Sequence, residues 1–211
     1  MIQEVAEYIG SHWDRYIGAL VRHLQIDVIA LLLCFAIAIP LGYLCAKKEK
    51  LAIPVLNVTN VLKIIPGVAK FFLLMPIFGI GLTPALIALV ALAVPTILIN
   101  TMSGVKGIDP LVLESAEGMG MGKFRTCWSV ELPLALPMIL NGMRMATIEV
   151  VAGTTIAAYV GAGGLGDFIV SGLSQNKTVI MLAGAITVAA LSIILDILLS
   201  IVQRRARNRI Q

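Results

Sequence analysis

The chain has 211 residues, 59% of them hydrophobic and 13% charged, with a mean hydropathy of +0.96. A soluble domain is nearer half apolar and a quarter charged, so lipid is the solvent for much of this surface and one membrane domain over residues 1–211 is the simplest count. The net charge of +4 comes from basic residues clustered beside apolar runs, which is how topology signals look, and no nucleic-acid partner is expected.

Residues 1–20 set Ile2, Val5, Ile9, Trp13 and Tyr16 at helical spacing, with Glu4, Glu7, Asp14 and Arg15 between them. That pattern predicts an amphipathic helix at the interface, with Trp13 and Tyr16 at headgroup level. It does not read as a signal peptide, because its start is not basic and no small-residue cleavage site follows an apolar core. A first span is expected over 26–45, kinked by Pro40. Lys47, Lys48 and Lys50 follow at once, which puts that end in the cytoplasm and the N-terminus outside.

The second span, expected over 53–78, is unusual in carrying Asn57, Asn60, Lys63 and Lys70. On a continuous helix, Asn60, Lys63, Gly67 and Lys70 fall within roughly 80° of one another. Pro66 and Gly67 weaken the middle of that helix. A lysine at membrane depth costs at least ~2.5 kcal/mol, so the stripe is expected to face a protein interior or an aqueous path. A structural ion pair, or lysines reaching for the interface, is the plainer alternative. A tight turn over 79–84 leads to a third span over 85–102, interrupted by Pro95.

The longest break in apolar sequence lies over 109–133. Asp109 followed by Pro110 is a strong helix start. A short helix is expected over 110–117, then turns allowed by Gly118, Gly120 and Gly122, then a second short helix over 123–131. Pro133 should end that helix, since the residue before a proline resists the α conformation. The result is a compact helix–turn–helix at the membrane surface.

The fourth span is expected over 137–160. Asn141, Thr155 and Tyr159 share a face, with Arg144 close to it. Glu149 points away along the Gly142–Gly153 edge, where another helix can approach. A buried carboxylate needs a partner, and Lys63 or Lys70 is the expected one. The stretch from Gly161 to Phe168 is too glycine-rich for a span, and a short helix at the outer face is expected over 165–173. The fifth span is expected over 179–202, where Asp196 would serve helix packing or an internal ion pair. Arg204, Arg205, Arg207 and Arg209 then mark the cytoplasmic end. Cys34, Cys45 and Cys127 lack CxxC or paired spacing, and His12 and His23 flank no other plausible ligands, so neither a disulfide nor a metal site is expected.

Within the 109–133 region, Glu114-Ser115-Ala116, then Gly120, nine residues, and Val130-Glu131-Leu132-Pro133 resemble the EAA signature of binding-protein-dependent ABC importer permeases. The runs 132–137 and 152–167, with Leu195-Asp196, are similar to those of the osmoprotectant permeases within that group. The similarity covers roughly residues 24–205. It implies an all-α polytopic fold of the type I importer permeases, and import of glycine betaine, carnitine, choline or a related solute. It also implies a second permease chain, two cytoplasmic ATPase subunits that bind ATP-Mg, and an extracytoplasmic solute-binding protein. No Walker A sequence is present, so this chain itself is expected to be non-catalytic and free of cofactors.

By the same resemblance, Glu114, Ala116, Glu117, Gly118, Met119, Gly120, Met121, Phe124, Leu132 and Pro133 form the ATPase-coupling site, with Trp128 adding contact surface. Asn60, Lys63, Gly67, Lys70, Asn141, Thr155 and Tyr159 are the candidates for the translocation pathway, and Glu149 for an intramembrane ion pair. Osmoprotectant permeases usually carry uncharged residues where Lys63, Lys70 and Glu149 stand, which favours a zwitterionic or carboxylate-bearing solute over a bare cation. Two other classes stay open: a permease for another small zwitterionic or amino-acid-like solute, and a secondary transporter using the intramembrane charges as a relay. The second lacks a detectable inverted repeat.

Overall fold

The computed structural model describes residues 1–208, all of its regular structure being helical. Arg209, the last of the expected cytoplasmic arginines, lies outside the described residues. In chain order the helices are α1 (Ile2–Ser11), α2 (Trp13–Lys47), α3 (Glu49–Ile64), α4 (Gly67–Phe78), α5 (Leu82–Lys106), α6 (Pro110–Gly118), α7 (Lys123–Thr126), α8 (Leu132–Ala157), α9 (Gly166–Ser174) and α10 (Thr178–Asn208). Among the described residues four helical segments are long and apolar enough to cross a bilayer: α2, α5, the run from α7 through α8, and α10. The bent pair α3–α4 makes up to five, the number expected.

That pair is where the structure departs most from a simple span. α3 and α4 meet at 99°. Ile65 precedes Pro66 and takes the extended conformation, φ −64° and ψ 122°, which a residue before proline prefers. The continuous helix assumed for the polar stripe is therefore corrected: Asn60 and Lys63 belong to α3, while Gly67 opens α4 and Lys70 lies within it.

The N-terminal expectation is corrected too. His12 breaks the first 20 residues into α1 and the start of α2. Tyr16 is buried, packed against Phe168 and hydrogen-bonded through its hydroxyl to Thr187, while Trp13 stays exposed.

The core is a sandwich of α5 between α2 and α8. Ile26, Ala30, Cys34 and Ala38 recur every four residues along α2 and meet Ala85, Leu89, Ala93 and Ile97 of α5. Small residues set the spacing of the helices. A Cβ on Gly42 would stand 2.8 Å from the Leu98 carbonyl oxygen, and one on Gly142 would stand 2.7 Å from Asn100 Cβ. Such close approach maximises dispersion contact where lipid supplies no hydrophobic drive between helices. Outward positions such as Leu32, Ile193, Ile197 and Leu198 are apolar and exposed, as lipid-facing positions should be.

After α8 one 3₁₀ turn, Ala158–Val160, leads into the glycine-rich loop. Gly161, Gly163 and Gly164 have φ of 79°, 86° and 97° there. Arg22 Nε donates to the Ala162 carbonyl at 3.1 Å, so α2 fastens this loop. α9 follows at nearly the expected position. Burial pushes the Asp167 carboxyl above its usual range, and Arg15 opposes that shift.

Candidate coupling site and polar groups of the spans

The 109–133 region begins as its sequence dictates. The Asp109 side chain accepts from the Leu111 amide at 2.9 Å, and Pro110 fills the first helical position. α6 ends at Gly118, and the chain then reverses through Gly120, which has φ +77°. The Gly120 amide donates to the Glu117 carbonyl at 2.9 Å and the Met121 amide to that of Ala116 at 3.1 Å. These two bonds form a Schellman turn, whose left-handed residue is nearly always glycine. Of the three glycines credited with the turn, only Gly120 takes a positive φ.

Ala116 is the buried residue of α6; Glu114 and Glu117 are exposed. Met119 is 72% exposed, Phe124 79% and Trp128 61%. Phe124 and Trp128 pack ring to ring at 6.2 Å, and Leu111 of the same loop is exposed as well. Exposed apolar groups of this kind mark a surface that contacts another protein or the membrane.

The second loop helix does not stop before Pro133, and that expectation is corrected. α7 gives way to a π turn, Cys127–Glu131, in which the Leu132 amide donates to the Cys127 carbonyl, and α8 begins at once. Proline lacks an amide hydrogen and crowds the carbonyl four residues back; the wider π turn relieves that crowding and lets the helix continue. Leu132 and Pro133 therefore sit in the first turn of α8.

Glu131 closes the π turn and is buried. Tyr43 donates to it at 2.6 Å and Lys47 at 2.5 Å. Tyr43 and Lys47 stand four apart near the end of α2, on one face. Between that end of α2 and the loop lies a cleft of about 410 Å³, with Lys48, Glu117, Met121 and Lys123 in its walls. The sequence reading passed over Glu131 because it fills the variable position of the signature.

The pathway candidates are not gathered into one stripe. Asn60 and Lys63 are exposed, Gly67 is half-buried and Lys70 is buried. Asn141 lies in the seam of α5, α8 and α10, donating to Asn100 at 3.0 Å and accepting from Gln203 at 3.3 Å. Thr155 bonds back to the Val151 carbonyl of its own helix, and Tyr159 is exposed in the 3₁₀ turn. Glu149 accepts from the Thr96 hydroxyl at 2.9 and 3.0 Å, and among the described residues no lysine lies within 4 Å of it. The expected pairing with Lys63 or Lys70 is therefore replaced by a neutral donor on α5, four residues before Asn100. Asp196 does form an internal pair: Arg144 grips it through Nε at 2.6 Å and Nη2 at 2.7 Å.

One buried polar cluster was missed. His23 and Asp27, four apart on α2, are both enclosed. His23 Nε2 donates to the Val151 carbonyl at 3.2 Å and stands 3.7 Å from Asp27 Oδ2, while Asp27 Oδ1 accepts from Thr154 at 2.6 Å. An Asp inside an apolar run, one turn from a His, was the available signal. Among the described residues no three His, Cys, Asp or Glu side chains converge as a metal site would require, and all three cysteines are free.

Comparison with known proteins agrees with this architecture. Residues 38–208 match the family model described as the binding-protein-dependent transport system inner membrane component. The chain is 39% identical over 184 residues to the carnitine transport permease protein OpuCB of Listeria monocytogenes, covering 87% of this chain and 84% of that one. It is 37% identical over 184 residues to the glycine betaine/carnitine/choline transport system permease protein OpuCB of Bacillus subtilis, covering 87% and 85%. In fold it is similar to an inward-facing structure of the MetNI methionine ABC transporter, with a TM-score of 0.81 at 21% identity, covering 90% of this chain and 95% of that one. The chain is a multi-pass membrane protein belonging to the family of inner membrane components of binding-protein-dependent transport systems.

Proposed function

We propose that this chain is the permease subunit of an ATP-driven importer for osmoprotectants such as glycine betaine, carnitine or choline. The observation that carries the transport reading is the 109–133 loop. A Schellman turn at Gly120 ends α6 and reverses the chain toward α7, and Met119, Phe124 and Trp128 are left exposed, as are Glu114 and Glu117. This is a surface suited to a protein partner, and it runs through the π turn into a span. The partner is a cytoplasmic ATPase, one under each of two permease chains, and Glu114, Ala116, Glu117, Gly118, Met119, Gly120, Met121, Phe124, Leu132 and Pro133 form the docking site. The N-terminus and the glycine-rich loop lie outside, where a solute-binding protein delivers cargo. ATP-driven closure of the ATPases moves the loops and opens the spans outward; hydrolysis resets them.

The solute class rests on the relatives, whose names cover carnitine, choline and glycine betaine. Asn60, Lys63, Gly67 and Lys70 on the broken helix, with Asn141, Thr155 and Tyr159 of the α8 region, bound the path. With Glu149 bonded to Thr96, the exposed Lys63 keeps its charge open to cargo while Lys70 is buried, which favours a solute carrying a carboxylate. Uptake of labelled glycine betaine, carnitine, choline and a neutral amino acid is the test, in cells with and without this chain at high osmolarity. Loss of betaine or carnitine uptake is expected on deletion. Loss of amino-acid uptake alone would reassign the cargo.

A further inference from the structure

The 109–133 loop is long, yet its side chains hold few polar ties to the spans. Among the described residues the hydrogen bonds of Asp109, Ser115 and Thr126 all stay within the loop. Those that reach across to another helix run from Glu131 to Tyr43 and Lys47 of α2, with the Cys127 thiol beside the same Tyr43 hydroxyl. Glu131, Tyr43 and Lys47 line one side of the cleft of about 410 Å³ between the loop and the end of α2.

Glu131 is also placed at a mechanically weak point. It ends the π turn, where one extra residue is taken up in the helix and the regular i→i+4 ladder is interrupted. A push on α7 would be lost as bending there unless something braces the turn against a neighbour. A buried carboxylate, held by a phenol at 2.6 Å and an ammonium at 2.5 Å, is such a brace. Charge-assisted bonds of this length are about twice as strong as neutral ones.

We propose that Glu131, clasped by Tyr43 and Lys47, is the positioning residue through which movement of the coupling loop reaches α2. The proposal rests on the coupling role given above to the loop, and it adds a direction: force passes from α7 into α2 as well as along α8.

The test uses the assembled transporter, with its ATPases and binding protein, in vesicles. Variants are Glu131→Gln, Lys47→Met, Tyr43→Phe and the reversed pair Lys47→Glu with Glu131→Lys. Readouts are co-purification of the ATPase, basal ATP hydrolysis, its stimulation by binding protein and solute, and maleimide labelling at two cysteines. One is the native, half-buried Cys127 in the π turn; Cys34 and Cys45 are buried and should stay silent. The other is Gly18→Cys on the far part of α2, where a Cβ meets nothing within 4 Å. With Glu131 intact, ATP should alter labelling at both positions. In Glu131→Gln the complex should assemble with unchanged basal hydrolysis, and Cys127 should still respond. The response at position 18 should vanish and stimulation should fall about tenfold. Tyr43→Phe should lose a smaller part, and the reversed pair should regain stimulation over either single reversal, which loss of fold would not allow. A Glu131→Gln complex in which position 18 still follows ATP overturns the proposal. Labelling that ignores ATP at both positions in the unaltered complex overturns the coupling role itself, and the clasp with it.

Discussion

Replacing Gly120 isolates the shape of the coupling turn from everything around it. Its φ is +77°, and a Cβ built there meets nothing within 4 Å. The penalty of a side chain is therefore conformational and local, not a clash with the spans. An L-residue in the left-handed region loses roughly 1–2 kcal/mol, with Asn bearing it best and β-branched residues worst. The Schellman bonds from Gly120 and Met121, at 2.9 and 3.1 Å, hold only while that conformation persists. A loss of about 1.4 kcal/mol lowers the ratio of correctly turned to misturned loop about tenfold, which near balance cuts the correctly turned fraction about fivefold. The assay is solute-stimulated ATP hydrolysis by the reconstituted complex, with membrane abundance of the chain as control. Stimulation should fall in the order Gly120, Asn, Ala, Val, with abundance unchanged. Equal stimulation in Gly120→Asn and Gly120→Val, or a parallel loss of abundance, would refute the reasoning.

Other substitutions test the packing of the spans. Thr96→Val leaves the Glu149 carboxylate without its donor and should lower stability in detergent by about 1–3 kcal/mol, whereas Glu149→Gln keeps a partner for Thr96 and should cost less. Because Glu149 is bonded to Thr96 and meets neither lysine within 4 Å, neutralising Lys63 or Lys70 together with Glu149 should rescue little transport over the single variants; marked rescue in the double variant would restore the ion pair. Asp196→Asn should lower the melting temperature, and Arg144→Gln in the same chain should recover part of it, since the two are joined by parallel bonds. Gly142→Val should reduce the folded yield by about 1–3 kcal/mol of overpacking, because the first added carbon already stands 2.7 Å from Asn100 Cβ.

Much of this architecture is legible in the residues because lipid leaves few choices. Apolar runs bounded by lysines and arginines must be helices, and Asp109-Pro110 and Gly120 signal helix start and reversal through local chemistry alone. What stays hidden depends on distant partners. Composition shows that Glu149 and Asp196 need a counterpart, but not that one finds Thr96 and the other Arg144, 53 and 52 residues away. Pro66 announces a weak point in α3–α4, but a proline alone does not give the angle, here 99°. Pro133 misleads for a local reason: the stop rule holds for an α helix, and the π turn ahead of it supplies a wider register. Glu131 looks like a surface glutamate until α2 brings Tyr43 and Lys47 to it.

The most direct measurement is uptake of labelled glycine betaine into proteoliposomes holding this permease and its ATPases, with ATP trapped inside and the binding protein outside. Coupled import predicts uptake that requires both ATP and binding protein and falls together with stimulated hydrolysis in Gly120→Val. Uptake driven by a membrane potential alone, with neither ATP nor binding protein present, would contradict it and return the intramembrane charges to the role of an ion relay.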